Sequence, residues 1–226
     1  MATFVLIHGA SDTAWYWHLV EPELRKRGHD VVAMDLPCDD DSAGLAEYAD
    51  TVVDALGQRR HLVLVAQSFG GFTAPLVCER VPVDLLVLVA AMIPSPGEAP
   101  NDYWTNTGYK SPTLDQPEIA KGMSEEDAWT IAAFMHDVPP EIVADALKRV
   151  REQSETPGSE PWPLDAWPDV PTRFLLCRDD RFFPAEWLRK VVKDRLGITP
   201  DEIDGGHCVA LSRPREFADR LDSYTS

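Results

Sequence analysis

The sequence has no C-x-x-C pair and no other cysteine spacing typical of a metal site. Its four cysteines, Cys38, Cys78, Cys177 and Cys208, stand far apart and read as reduced thiols of a cytosolic protein. Basic charge is scarce as well. There are 21 Lys and Arg against 38 Asp and Glu, a formal net charge of −17. That surplus repels phosphate backbones and anionic membrane surfaces, so neither nucleic acid nor membrane is an expected partner. No apolar run approaches the length of a membrane span. The N-terminal MATFVLIHG lacks a basic region, and its apolar run is too short for a secretion signal. Internal repeats and low-complexity segments are also missing. What remains is the composition of a soluble globular protein, 44% apolar and 26% charged over 226 residues. That length suffices for one large core or two small ones.

Six β-type runs recur along the chain: FVLI (4–7), VVAM (31–34), LVLVA (62–66), LLVLVA (85–90), FLLC (174–177) and a weaker ITPDEI (198–203). Most are continuous rather than alternating, which suits strands covered on both faces of a parallel sheet. Helical patterns separate them. The segment 14–28 places Trp17, Val20 and Leu24 on one face and ends on Gly28. The segment 45–57 does the same with Leu45, Tyr48, Val52 and Leu56, ending on Gly57. GFTAPLVCERV, EWLRKVVKDRLG and REFADRLDSY follow later strands. Strict alternation of strand and helix implies right-handed βαβ crossovers and a doubly wound α/β domain. Residues 94–171 break the rhythm. They are dense in proline, Pro112 and Pro117 included, and show helical patterns only at 124–136 and 139–151. This stretch reads as an excursion between two strands, leaving 1–93 and 172–226 as the core.

The motif that bears on chemistry is LVLVAQSFGGF (62–72). It approaches G-x-S-x-G, with Ala66 in place of the first glycine. A serine on a sharp strand-to-helix turn has an exposed Oγ, and the turn crowds the residues two before and two after it. Ala66 and Gly70 are both small. Taken alone, the stretch serves equally well as a helix start with Ser68 as N-cap. The rest of the chain favours a nucleophile. Asp179 and Asp180 end the fifth strand in CRDDRFFP, and His207 follows the sixth in DGGHC. Serine, acid and base thus fall on one edge of the sheet in the order Ser, Asp, His. Adjacent residues at a strand end point opposite ways, so only one aspartate reaches His207. The loop after the first strand, His8-Gly9-Ala10, lies where a second oxyanion donor belongs. The donors would be the N–H groups of Ala10 and Phe69.

Together VLIHGASDTAWYW, GHDVVAMDLP, AQSFGG, LVAAMIPSPGE, CRDDRFFP and GGH resemble the α/β-hydrolase superfamily. More narrowly they are similar to the branch of plant methylesterases, hydroxynitrile lyases and their bacterial esterase relatives. The resemblance covers nearly the whole chain. It implies strand order 2-1-3-4-5-6, with residues 94–171 as a helical cap between the fourth and fifth strands. It also implies a triad acid followed, four residues on, by proline. That pattern selects Asp180, with Pro184 beyond it. Lyases of the branch carry threonine after the first-strand histidine and lysine after the catalytic histidine. Gly9 and Cys208 stand there instead, which favours an esterase.

The resulting expectation is a cytoplasmic serine hydrolase of small carboxylic esters, acting through an acyl-enzyme with Ser68, His207 and Asp180. It needs no metal or organic cofactor, and it works as a monomer or homodimer on a small-molecule ester. The alternatives are a receptor-like binding protein on the same scaffold and a carbon–carbon lyase or hydrolase. His8 is expected to orient backbone rather than act as a base. His8, Trp104, Trp129 and His136 are the further candidates for the pocket wall. The run Asp39-Asp40-Asp41 reads as a solvated loop, since three consecutive side chains cannot all face one ion.

Overall fold

Branched apolar runs become strands here because helices cover both faces of the sheet. The computed structural model describes residues 1–111, 114 and 122–225. Its strands are β1 (Thr3–Ile7), β2 (Asp30–Ala33), β3 (Leu62–Gln67), β4 (Leu85–Val89), β5 (Thr172–Cys177) and β6 (Asp201–Ile203). They form one sheet in the order β2-β1-β3-β4-β5-β6, with every neighbouring pair parallel. This is the doubly wound arrangement expected from the sequence. All residues of β1 and β3 are buried, as a central parallel strand requires. The sixth strand is shorter than its pattern and starts only after Pro200, which has no N–H to give to a ladder.

Helices α1 (Val20–Lys26), α2 (Leu45–Leu56) and α3 (Gly70–Cys78) follow the first three strands. Between β4 and β5 come α4 (Tyr103–Asn106), α5 (Glu125–Phe134), α6 (Pro140–Leu147) and α7 (Thr156–Ser159). Helix α8 (Ala185–Leu196) follows β5, and α9 (Val209–Ser212) and α10 (Pro214–Ser223) follow β6. One expected helix is broken. Residues 14–28 form a 3-10 turn at Ala14–Trp17 and then α1. Pro22 explains the break. It cannot donate to the carbonyl four residues back, so the helix restarts with Pro22 in its first turn. Trp17, Val20 and Leu24 are nonetheless all buried.

Among the described residues the segment between β4 and β5 is helical, without a strand. Pro112 and Pro117 lie outside the described residues. The two ends of the segment are joined at its neck. Gly97 N–H donates to the Trp162 carbonyl at 3.1 Å, and Trp162 N–H donates to the Glu98 carbonyl at 3.0 Å. The Trp162 indole N–H reaches the Phe72 carbonyl of α3 at 3.2 Å. Glu98 is buried and receives both ends of the Arg195 guanidinium, one at 2.8 Å, together with Asn106 at 2.9 Å. Arg195 also donates to the Ile93 carbonyl. This buried pair ties α8 to the segment's first turn. Burial works against ionisation of Glu98, but hydrogen bonds from Arg195 and Asn106 outweigh it and hold the carboxyl below its ordinary range.

Removing one partner of such a pair strands a buried charge and costs about 3 to 5 kcal/mol. Glu98→Ala is expected to lower stability by about that amount in urea unfolding at pH 7. Because the folded pKa of Glu98 is depressed, its contribution is complete above the unfolded value of about 4.3 and is lost as pH falls through the folded value. The gap between wild type and variant therefore narrows in acid. A gap that stays constant down to the acid transition would contradict this.

Candidate active site

The chain leaves β3 at Gln67 and enters α3 at Gly70, so Ser68 must carry the whole reversal. It does so with φ +51°, in the left-handed region that a β-carbon disfavours. Three backbone bonds hold it there. Ser68 N–H donates to the Val89 carbonyl at 3.3 Å. Its carbonyl accepts from Gly71 at 3.1 Å and from Met92 at 2.9 Å. The turn is crowded. A methyl on Gly70 would lie 3.0 Å from the His8 carbonyl oxygen, and one on Gly71 would collide with the Met92 carbonyl. Ala66 is wholly buried between Ile7 of β1 and Leu88 of β4. Ser11 and Ala90 also have positive φ, +60° and +41°, and both follow strands of the same edge. Such strain gathers at functional sites.

His207 and Asp180 meet below this turn. His207 Nδ1 lies 2.8 Å from Asp180 Oδ2, with both side chains buried. The other carboxylate oxygen, Oδ1, accepts the N–H groups of Phe182 at 2.8 Å and Phe183 at 2.9 Å. Asp180 is therefore fixed by the backbone just beyond it. Asp179 faces elsewhere and accepts Gly205 N–H at 2.9 Å, so the neighbouring aspartates separate as strand geometry requires. The imidazole sits among Phe134, Phe182 and Phe183, with centroids 5.1, 5.7 and 5.2 Å away. Gln67 reaches the His207 carbonyl at 3.5 Å. Ser68 and His207 line one cavity of about 330 Å³, together with Gly9, Ala10 and Phe69. Among the described residues no hydrogen bond joins Ser68 Oγ to His207. Catalytic hydrogen bonds of unliganded enzymes are often long and tighten with substrate.

His8 is buried behind the cavity rather than in its wall. Leu36 N–H donates to Nε2 at 3.0 Å, which places the proton on Nδ1, and Nδ1 donates to the Gly9 carbonyl at 2.7 Å. Burial drives the His8 pKa down to about 4 against the Gly9 bond, so the ring is neutral. In a trans peptide, carbonyl and following N–H point opposite ways. Holding the Gly9 carbonyl therefore turns the Ala10 N–H away from His8.

The other pocket candidates divide. Trp104 lines the cavity. Trp129 does not; it is 42% exposed and packs its edge on Phe134 and Phe182. His136 does not either, because it backs onto Gly206, and burial lowers its pKa. Sequence reasoning missed Asp12, Phe134, Phe182 and Asp137. Asp137 accepts Gly206 N–H at 2.8 Å and so anchors the loop that carries His207 from the far side. A possible signal for Asp12 was its place two residues beyond Ala10 on the same loop.

Residues 4–220 match the alpha/beta hydrolase family model. The chain belongs to the alpha/beta hydrolase family. Among similar members is an esterase of Oryza sativa subsp. japonica, 28% identical, with 96% of this chain and 93% of the relative covered. An alpha-hydroxynitrile lyase of Arabidopsis thaliana is 23% identical over 99% and 96%. The solved structure of polyneuridine aldehyde esterase superposes with TM-score 0.83 at 21% identity, covering 100% of both chains. As a family member, this hydrolase keeps the fold across its full length while its sequence has drifted far. None of the described helices is long and apolar enough to cross a membrane.

Gly71→Ala tests the crowded turn. The obstacle is a backbone carbonyl, which cannot rotate aside, so a loss of about 1 to 3 kcal/mol is expected with a displaced Ser68. A variant with unchanged melting temperature and unchanged labelling of Ser68 by a fluorophosphonate would contradict the assignment.

Proposed function

We propose that this protein is a serine hydrolase that cleaves small carboxylic esters through an acyl-enzyme. The observation that carries the reading is the Asp180–His207 pair at 2.8 Å beneath a serine held at φ +51°, with serine and histidine opening into one cavity. His207 Nε2 takes the Ser68 proton as Oγ attacks the ester carbonyl. Asp180 fixes the imidazole tautomer through Nδ1–H and stabilises the imidazolium. The N–H groups of Ala10 and Phe69 receive the tetrahedral oxyanion, and His8 is the positioning residue for the first of them. Collapse returns the proton from His207 to the leaving alkoxide and leaves an acyl-serine. Water, deprotonated by His207, then releases the carboxylic acid and restores Ser68.

The segment 94–171 acts as the cap that closes the cavity, on 1–93 and 172–226 as core. Separated free thiols support a reducing, cytoplasmic setting. The lyase alternative is opposed by two positions. Cys208 supplies no cation beside His207. At Gly9 a β-carbon would lie 2.5 Å from Gln67 Oε1, so the lyases' threonine does not fit without moving Gln67.

Hydrolysis of p-nitrophenyl acetate is expected to vanish in Ser68→Ala. In Asp180→Asn, kcat is expected to fall about 10⁴-fold, as when the imidazole loses its orienting acid. Full turnover by Ser68→Ala would refute the nucleophile. Labelling of Ser68 by a fluorophosphonate, with no turnover of any ester in a varied panel, would point to the receptor-like alternative.

A further inference from the structure

The charge in the cavity wall is of one sign. Its described lining residues include two carboxylates, Asp12 and Glu126, and no Lys or Arg. Asp12 follows the Gly9-Ala10 loop. Its Oδ1 accepts the Thr13 N–H at 2.8 Å, and its Oδ2 has no hydrogen-bond partner among the described residues. Glu126 is exposed, in the first turn of α5. Two arginines near the cavity are engaged elsewhere, and Arg181, beside the lining Phe182, is exposed to solvent. Arg151 holds Asp39 and the Leu36 carbonyl, and Arg149 lies over the Trp15 ring at 4.7 Å and donates to the Asp145 carbonyl. Trp104 and Phe69 contribute aromatic wall, whereas the Trp15 ring is already engaged by His18 and Arg149. A carboxylate with an open oxygen beside aromatic rings is the chemistry that recognises an organic ammonium group.

We propose that Asp12, with Glu126 at the cavity mouth, forms a cation subsite, and that the ester attacked by Ser68 carries a protonated or quaternary amine. The proposal rests on the serine-hydrolase reading above and names its substrate class. Position limits the spacer. Asp12 lies two residues from Ala10, so their Cα atoms are at most about 7.6 Å apart. The ammonium is therefore expected in the same cavity as the reacting carbonyl. The environment of Asp12 fits this use. Burial pushes its carboxyl up to about 6, Asp35 adds repulsion, and only the Thr13 N–H opposes. At neutral pH the group is ionised but poorly compensated, and a cation supplies what is missing.

Two isosteric ester pairs read the subsite. Acetylcholine against 3,3-dimethylbutyl acetate places the charge on the alcohol. Methyl N,N-dimethylglycinate against methyl 3-methylbutanoate places it on the acyl group. The readout is the ratio of kcat/KM, cationic over neutral, in wild type and in Asp12→Asn. For at least one pair the ratio is expected to fall tenfold or more in the variant, and to be largely retained in Asp12→Glu. For the acetylcholine pair, whose charge does not titrate, the wild-type ratio also falls as the pH drops through about 6, and any group that slows both esters alike cancels from it. A second measurement needs no turnover. Calorimetric binding of choline is expected to exceed that of 3,3-dimethylbutan-1-ol in wild type, and the excess to disappear in Asp12→Asn. Good turnover with equal ratios in wild type and variant overturns the subsite and leaves the esterase reading standing. Failure to cleave the four esters and p-nitrophenyl acetate alike, with choline still preferred over its isostere, overturns the esterase reading and leaves the subsite. Equal binding of choline and its isostere counts against the subsite in either case.

Discussion

At the end of β3 a side-chain-bearing residue is held in a conformation it would not choose, and much of the site follows from how that is achieved. A left-handed turn at a non-glycine residue costs about 1 to 2 kcal/mol and persists only where neighbours over-determine it. Here the Ser68 carbonyl is shared by Gly71 and Met92, and Ser68 N–H bonds the end of β4. Gly71 can come close enough only because it has no side chain. The turn is thereby locked between β3, α3 and the chain leaving β4. The same constraint presents Phe69 N–H to the cavity, because the residue after a sharp turn begins the helix with its N–H unpaired. The proposed nucleophile and the proposed oxyanion donor are two consequences of one backbone geometry.

The remaining parts are held less by the sheet than by what lies across it. The Ser11 N–H donates to Gln153 Oε1 at 3.2 Å, and its carbonyl accepts Arg151 N–H at 2.9 Å. Both partners belong to the segment between β4 and β5. So does Asp137, which holds the glycine preceding His207. Phe134 of the same segment packs on the imidazole. The loop of Ala10 and Ser11 and the loop of His207 therefore share one support in the segment between β4 and β5. A displacement of that support moves both at once, and Ser68 is left in place because its bonds run to β4 and α3. This predicts a coupling between substrate fit and chemistry that core residues alone would not give.

The strands were legible because parallel burial writes itself as unbroken apolar runs, and their order followed once the nucleophile turn and the first-strand loop were recognised. The helix at 14–28 was misread because its apolar spacing is sound while Pro22 forbids a continuous ladder; backbone chemistry overrode side-chain periodicity. The pairing of His207 with Asp180 rather than Asp179 was readable from the proline beyond it. The cavity wall was not. Trp104 faces it, and Trp129, equally apolar and in the same segment, turns its ring toward solvent. Nothing local distinguishes them, since each orientation depends on where α4 and α5 come to rest against Phe182.

Four aspartates surround the chemistry, and their environments separate their roles. Asp179 and Asp137 hold the backbone of Gly205 and Gly206. Asp180 holds two N–H groups and an imidazole, is buried and does not line the cavity, so it does not meet a substrate. Asp12 alone among them lines the cavity. A carboxylate in such a place is costly in a protein whose whole surface is already acidic, because the −17 net charge raises the work of keeping one more anion enclosed. An uncharged side chain would serve any neutral ester without that cost. The position of Asp12 makes physical sense where the arriving molecule supplies the missing positive charge, and the acidity of the surroundings then draws such a molecule in rather than merely keeping the protein soluble.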